Sequence, residues 1–456
     1  MYETVIVGAG PGGTGPLIWA AQHGQLPDWL NAGVALVDRS PTIGGTLAKY
    51  TIGSDSPGRS YLECFDHPAF FDLFGDLYRE DTTKQLFEYY ETLPPLPLVG
   101  AFLQRQGVHL QRLIAKFPAS RFFPNSQARQ LRLLADGCIA VGLADGHPAG
   151  ELVGGAAIVA LGGREVTDAP LDGRLDLHEI VRPGRLFGSD AMLAGASMPE
   201  ALARIGELRR VVVVGGSHSA FSVAWRLLQE AGDRLAPGAI TILHRTEPRC
   251  FYPTRSEADA DHYAFVEDDV CPATQRVNRL SGLRGDGRDL WRRIHGKPGT
   301  TAEQRVTCRP LHEMAADGAA FRDWLAGADL VVTTFGYRSR TLPVTDAFGQ
   351  VLHCAPDASG ASVDQEGRLR LEDGSTVPNL FGIGLGTGYR PSGRMGGEPN
   401  LRLQQNSLWL YQNDVGEVVC RAARRAASVH RPAFDVFAKT RELVMGGALV
   451  DAAATA

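Results

Sequence analysis

No Cys-x-x-Cys pair occurs among the seven cysteines, which stand at 64, 138, 250, 271, 308, 354 and 420. That spacing argues against a dithiol–disulfide reductase, and an odd count without a disulfide framework suits a reducing cytoplasm. No apolar run approaches the ~18 residues a membrane span needs. The chain enters a β-like run at Thr4, which argues against a signal peptide. Neither sign of charge dominates: 46 basic and 51 acidic residues leave a net charge of −5. With no basic tail or stripe, nucleic acid is not an expected partner. The 12 histidines show no ligand spacing, so no metal site is expected. A Gly-x-Ser-x-Gly nucleophile elbow is also missing. Hydrophobic residues at 44% and charged residues at 21% are ordinary for a globular chain, and 456 residues call for two or three cores.

Two strand–turn–helix signatures stand out against these absences. The first is Thr4-Val5-Ile6-Val7 followed by Gly8, Ala9, Gly10, Pro11, Gly12 and Gly13. The second is Val211-Val212-Val213-Val214 followed by Gly215, Gly216, Ser217, His218, Ser219 and Ala220. A β-branched run before a tight turn that opens a helix aims backbone N–H groups and the helix dipole at a pyrophosphate. In the first unit, Gly8, Gly10 and Gly13 have the dinucleotide spacing, and the next strand, Val34–Val37, ends at Asp38 and Arg39. An acid there accepts bonds from the adenosine ribose. Gly44-Gly45-Thr46 makes a further turn. An N-terminal unit with a late return segment at 380–420, carrying Gly384 and Pro399, points to FAD. In the second unit Ser217 and Ala220 replace two glycines, each small enough for its place. Its second strand, Ala239–Leu243, leads to His244, Arg245 and Thr246. Arg245 is either a surface arginine or a partner for the 2′-phosphate of NADPH, a contact an acid could not make.

The expected fold is α/β, with two dinucleotide-binding Rossmann-like domains of three-layer ββα type and the NADP domain inserted in the FAD domain. Residues 1–195 read as the first part of the FAD domain, 196–340 as the NADP domain, and 341–456 as the return segment and C-terminal helix. Residues 50–70 read as a loop. Leu131–Leu134 and Cys138–Leu143 around Asp136-Gly137 read as a hairpin. Ala156–Leu161 reads as a strand ending in glycines, and Asn400–Cys420 as one long helix. Ala452 to Ala456 read as a frayed end.

These residues resemble the two-dinucleotide flavoprotein monooxygenases. Asp329 to Tyr337 is similar to the Asp-x-x-x-Leu/Phe-Ala-Thr-Gly-Tyr motif of the N-hydroxylating branch, the lysine and ornithine N-monooxygenases. Gly336 and Tyr337 match, whereas Thr334 and Phe335 replace the usual Ala-Thr. Ser60-Tyr61-Leu62 resembles a Ser-Phe-Leu stretch of those enzymes. That places Tyr61 and Glu63 at the substrate, with Glu63 standing where a lysine holds the substrate carboxylate. Asn278 matches an asparagine near the substrate and nicotinamide. The resemblance implies that NADPH reduces FAD, that O₂ forms a flavin hydroperoxide, and that a small-molecule amine attacks it. It also points to a homo-oligomer. A carbon or sulfur oxygenase, a flavin oxidase, and a non-catalytic redox sensor on the same scaffold stay open at this point.

Overall fold

Val5, Ile6 and Val7 run without a polar break, and the strand they close, Tyr2–Val7, is covered on both faces. Continuous apolar runs of this kind belong to parallel strands packed between layers. The computed structural model describes residues 1–429 apart from 172, 196, 206, 207, 359 and 402–406. In it Tyr2–Val7 lies parallel to Val34–Val37 on one side and to Glu151–Val159 on the other. Arg121–Phe123 and Thr376–Gly382 extend the parallel set at its two ends. Successive side chains point to opposite faces. Ile6 joins a core with Leu17 and Ile18 of helix Pro11–Gln22 and with Val415 and Val419 of helix Asp414–Val429. Val5 and Val7 join Leu131, Ile139 and Val141 of an antiparallel meander on the other face. The result is a helix layer, a parallel sheet and a meander. Strand Glu151–Val159 serves both of the last two, pairing with the meander through 151–154 and with Thr376–Gly382 through 157–159.

A second sheet is parallel throughout, in the order Val306–Pro310, Ile240–His244, Val211–Val214, Leu330–Thr333, Leu186–Gly188. Val211 and Val213 face Phe221, Ala224 and Leu227 of helix His218–Ala231. Val212 and Val214 face Leu311, Phe321 and Leu325. The chain leaves the first sheet after residue 159 and rejoins it at Val344–Thr345, which pairs with Ala128–Leu133. The two crossing segments pair with each other, Gly163–Glu165 against Tyr337–Ser339. The second unit is therefore an insertion in the first.

The structure differs from the sequence expectations at three places. Leu186–Gly188 belongs to the second sheet, and Leu171, Leu177 and Ile180 pack beneath it, so that layer begins N-terminal to residue 196. Residues 50–70 are not all loop. Arg59–Leu62 is a helical turn, Glu63–Asp66 a 3₁₀ turn, and a helix starts at Pro68, because Tyr61, Leu62, Cys64 and Phe65 are core residues. Asn400 and Leu401 are not helical, and the helix expected over Asn400–Cys420 is two helices, Leu408–Gln412 and Asp414–Val429, broken at Asn413. Residues 402–406 and Ala452 to Ala456 lie outside the described residues. Among the described residues no helix is long and apolar enough to cross a membrane.

Candidate active site

Gly8 and Gly13 are small for packing. A β-carbon on Gly13 would lie 1.8 Å from the Gly8 carbonyl oxygen, and one on Gly8, where φ is +104°, would lie 2.3 Å from that of Ala160. Gly10 is small for a different reason. A β-carbon there would meet nothing nearer than Gly45 Cα at 3.8 Å, so its missing side chain keeps space open at the helix end. Gly10 is the N-cap of Pro11–Gln22 and offers no side-chain bond to it. Pro11 needs no N–H partner, while the first-turn N–H groups behind it do. Gly12 lies against Gly384 (φ +110°), whose Cα would be 3.3 Å from a β-carbon on Gly12. Gly44 N–H donates to the Ala9 carbonyl at 2.8 Å, which brings Gly45 and Thr46 over the turn. Asp38 accepts from Ala9 N–H at 2.6 Å with one oxygen and from Ser40 N–H at 2.7 Å with the other. Each oxygen keeps a lone pair for a ligand hydroxyl. Arg39 and Thr46 are exposed at the rim. An open, uncapped helix end beside a fixed carboxylate fits the pyrophosphate and ribose of FAD.

The second turn has the same plan. Gly215 (φ +142°) faces Thr334, whose Oγ1 would lie 1.9 Å from a β-carbon there. That hydroxyl donates to the Val214 carbonyl at 2.8 Å. Ser217 caps helix His218–Ala231 by position, but its side chain makes no capping bond. Ala220 is fully buried against the sheet, and Ser219 is half-buried beside it. Gly216 fits against His244 and the Thr246 carbonyl, so the exposed Arg245 and Thr246 stand beside the turn. These residues suit a second pyrophosphate with an added phosphate at Arg245.

Beside the second turn lies a narrow cleft, about 30 Å³ in volume, lined by Ser54, Asp55, His218, Trp225, Arg284 and Asp286. The Nε2 atom of His218 is shut off from solvent and has no hydrogen-bond partner. Burial holds this imidazole below its ordinary range, hence neutral near pH 7. Burial, with Asp289 adding to it, pushes the Asp286 carboxyl up. Tyr61 is buried, with its hydroxyl 2.5 Å from Ser54 Oγ, so it backs the cleft wall. Glu63 is exposed and accepts from Trp409 Nε1 at 2.6 Å, away from the cleft. Asn278 is fully buried with φ +45°, and its amide donates to the Cys250 carbonyl and the Tyr263 hydroxyl. Pro399 is exposed beside Glu398, whose carboxylate accepts from Leu280 and Ser281. Among the described residues no group of side chains could hold a metal ion. His218 was legible as part of the turn. Ser54, Arg284 and Asp286 carry no local pattern and are recognisable only once three segments meet.

No family model matches the chain. The CMP-5′-(3-aminopropyl)phosphonate hydroxylase of Streptomyces rubellomurinus is 34% identical over 432 residues, spanning 92% of this chain and 97% of the relative. The chain belongs to that hydroxylase's family, among the flavoprotein monooxygenases. Solved N-hydroxylating monooxygenases share its fold. The ornithine N-hydroxylase of a Kutzneria species aligns at TM-score 0.53 and 16% identity, covering 93% of this chain and 99% of that one. The L-lysine 6-monooxygenase of Pseudomonas syringae aligns at 0.54 and 16%, covering 93% and 100%. The FAD-bound cadaverine monooxygenase of Erwinia amylovora aligns at 0.55 and 12%, covering 93% and 94%. This flavoprotein monooxygenase departs from the N-hydroxylating motif at Thr334, and the geometry supplies the reason: the hydroxyl fills the space that Gly215 vacates.

Proposed function

We propose that this monooxygenase uses FAD and NADPH to N-hydroxylate the primary amine of a small metabolite that also carries a phosphoryl or phosphonyl group. The carrying observation is the full-length relationship to a hydroxylase that acts on a nucleotide-linked aminophosphonate. Two open, uncapped helix ends, the second of them beside the cleft, support it. Residues 1–195 and 341–456 would hold FAD, through Gly8, Gly10, Pro11, Gly12, Gly13, Asp38, Arg39, Gly45, Thr46, Gly384 and Pro399. Residues 196–340, with the strand before them, would hold NADPH through Gly215, Ser217, His218, Ser219, Arg245 and Thr246. The bound flavin would accept the hydride and activate O₂. The protein's part is to bind, orient and exclude water. The test is an NADPH-oxidation screen over amines and aminophosphonates under air, with product mass measured. A product heavier by one oxygen, bearing a hydroxylamine, is expected. NADPH consumption that yields only hydrogen peroxide with every amine would make the protein an oxidase and overturn the reading.

A further inference from the structure

Arg284 is a cation in the wall of the cleft that forms no ion pair among the described residues. Its guanidinium is stacked 3.7 Å above the Phe251 ring and donates to the Arg279 carbonyl at 2.5 Å. Among the described residues no carboxylate pairs with it. Glu398 acts on it at a distance, but that carboxylate is already committed to the Leu280 and Ser281 N–H groups and the Ser281 hydroxyl. Asp55, in the wall of the same cleft, is the stronger opposing charge on it, but it is exposed and forms no ion pair with it. Arg276 and Arg279 add positive charge nearby, and Arg279 donates to the Met395 carbonyl. This part-buried cation has one carbonyl and one ring for partners, and an anion would complete it. Opposite it, His218 Nε2 is enclosed and unpartnered. The cleft thus holds two polar groups that the protein itself leaves incomplete.

We propose that Arg284 anchors the phosphoryl oxygens of the amine substrate and so selects amines that carry such a group. A planar guanidinium matches phosphoryl oxygens with two parallel N–H donors. The cleft's carboxylates separate this ligand from a simple anion. Asp55 and Asp286 line the same cleft, so a ligand with only negative charge would be repelled there. One with a phosphoryl oxyanion and an ammonium group complements both signs. The pyrophosphate of NADPH is the other source of the same oxyanion chemistry. The helix end at Ser217 opens beside this same cleft through His218, so that pyrophosphate would compete for Arg284, and the cleft's carboxylates favour the ligand that also carries an ammonium group.

The assignment rests on the proposed reading of the substrate, and the experiment separates the two. Full-length, flavin-loaded wild type, Arg284→Gln and Arg284→Lys are compared for KM and kcat with CMP-5′-(3-aminopropyl)phosphonate, for KM with NADPH, and for bound flavin. In Arg284→Gln, KM for the aminophosphonate rises roughly tenfold or more, the loss of one charge-assisted contact. KM for NADPH and flavin content stay at wild-type values, and Arg284→Lys recovers part of the loss because it keeps the charge. An unchanged aminophosphonate KM in Arg284→Gln overturns the anchor while leaving the substrate reading intact. An equal rise in KM for NADPH, or flavin loss in both variants, also overturns it, in favour of a dinucleotide contact or a packing role. A wild type that does not act on the aminophosphonate at all sinks the substrate reading and the anchor with it.

Discussion

Gly10 and Gly13 stand three residues apart in one turn and fail differently when enlarged. A side chain at Gly13 strikes the Gly8 carbonyl, so Gly13→Val should misfold the first unit. Gly10 has an ordinary φ of −78° and free space around it. Gly10→Val should therefore give soluble protein with an unchanged circular dichroism spectrum but little bound flavin. Full flavin content in that variant would remove Gly10 from the cofactor site. At the second turn, Arg245→Ala should raise KM for NADPH far more than KM for NADH. The lost phosphate contact is worth roughly 1.5–3 kcal/mol. Equal changes for both cofactors, measured in steady-state assays, would place Arg245 outside the phosphate site. Glycine spacing made the packing at Gly8 and Gly13 legible, because a close approach leaves only one residue type possible. Glu63 was not legible: its partner, Trp409, is 346 residues away, and nothing local shows that the carboxylate turns toward it.

Elements are held together by contacts that the hydrophobic period does not record. Glu80 precedes helix Asp81–Phe87 and binds Arg105 of helix Leu96–Ile114 through two bonds of 2.6 and 2.7 Å, with His109 at 2.8 Å. The bonds from Arg105 hold the Glu80 carboxyl down to about 2, from an ordinary 4.5. A depressed carboxylate stabilises the fold above its unfolded value, and that stabilisation is lost as pH falls through the folded value. Glu80→Gln should cost about 1–2 kcal/mol in urea unfolding at pH 7. The gap from wild type should shrink as pH drops from 4.5 toward 2. A gap that does not change with pH would deny the ion pair its role. The break at Asn413 is a further case. A β-carbon on either Gly15 or Gly416 would lie 2.2 Å from the Tyr411 carbonyl oxygen, so the chain turns there to seat that carbonyl between two glycines. The apolar period runs through this point and so suggested one helix. The turns at 59–66 were missed because four-residue elements are too short to show a period.

At the scale of the molecule, the sequence made the two parallel sheets legible because each contains an unbroken β-branched strand before a glycine turn. The insertion was legible from the order of the motifs. Its starting point was not, because Leu186–Gly188 is a three-residue edge strand whose place depends on pairing with Leu330–Thr333. The cleft was the least legible part, since residues near 54, 218 and 284 meet only through the insertion. Such an arrangement would pass electrons from a nicotinamide to a flavin. The most direct measurement is the visible spectrum of the FAD-loaded protein, mixed with NADPH under anaerobic conditions and then exposed to air. The yellow flavin bands should bleach on mixing and return with oxygen. Protein that takes up no FAD, or bound flavin that stays oxidised in excess NADPH, would contradict it.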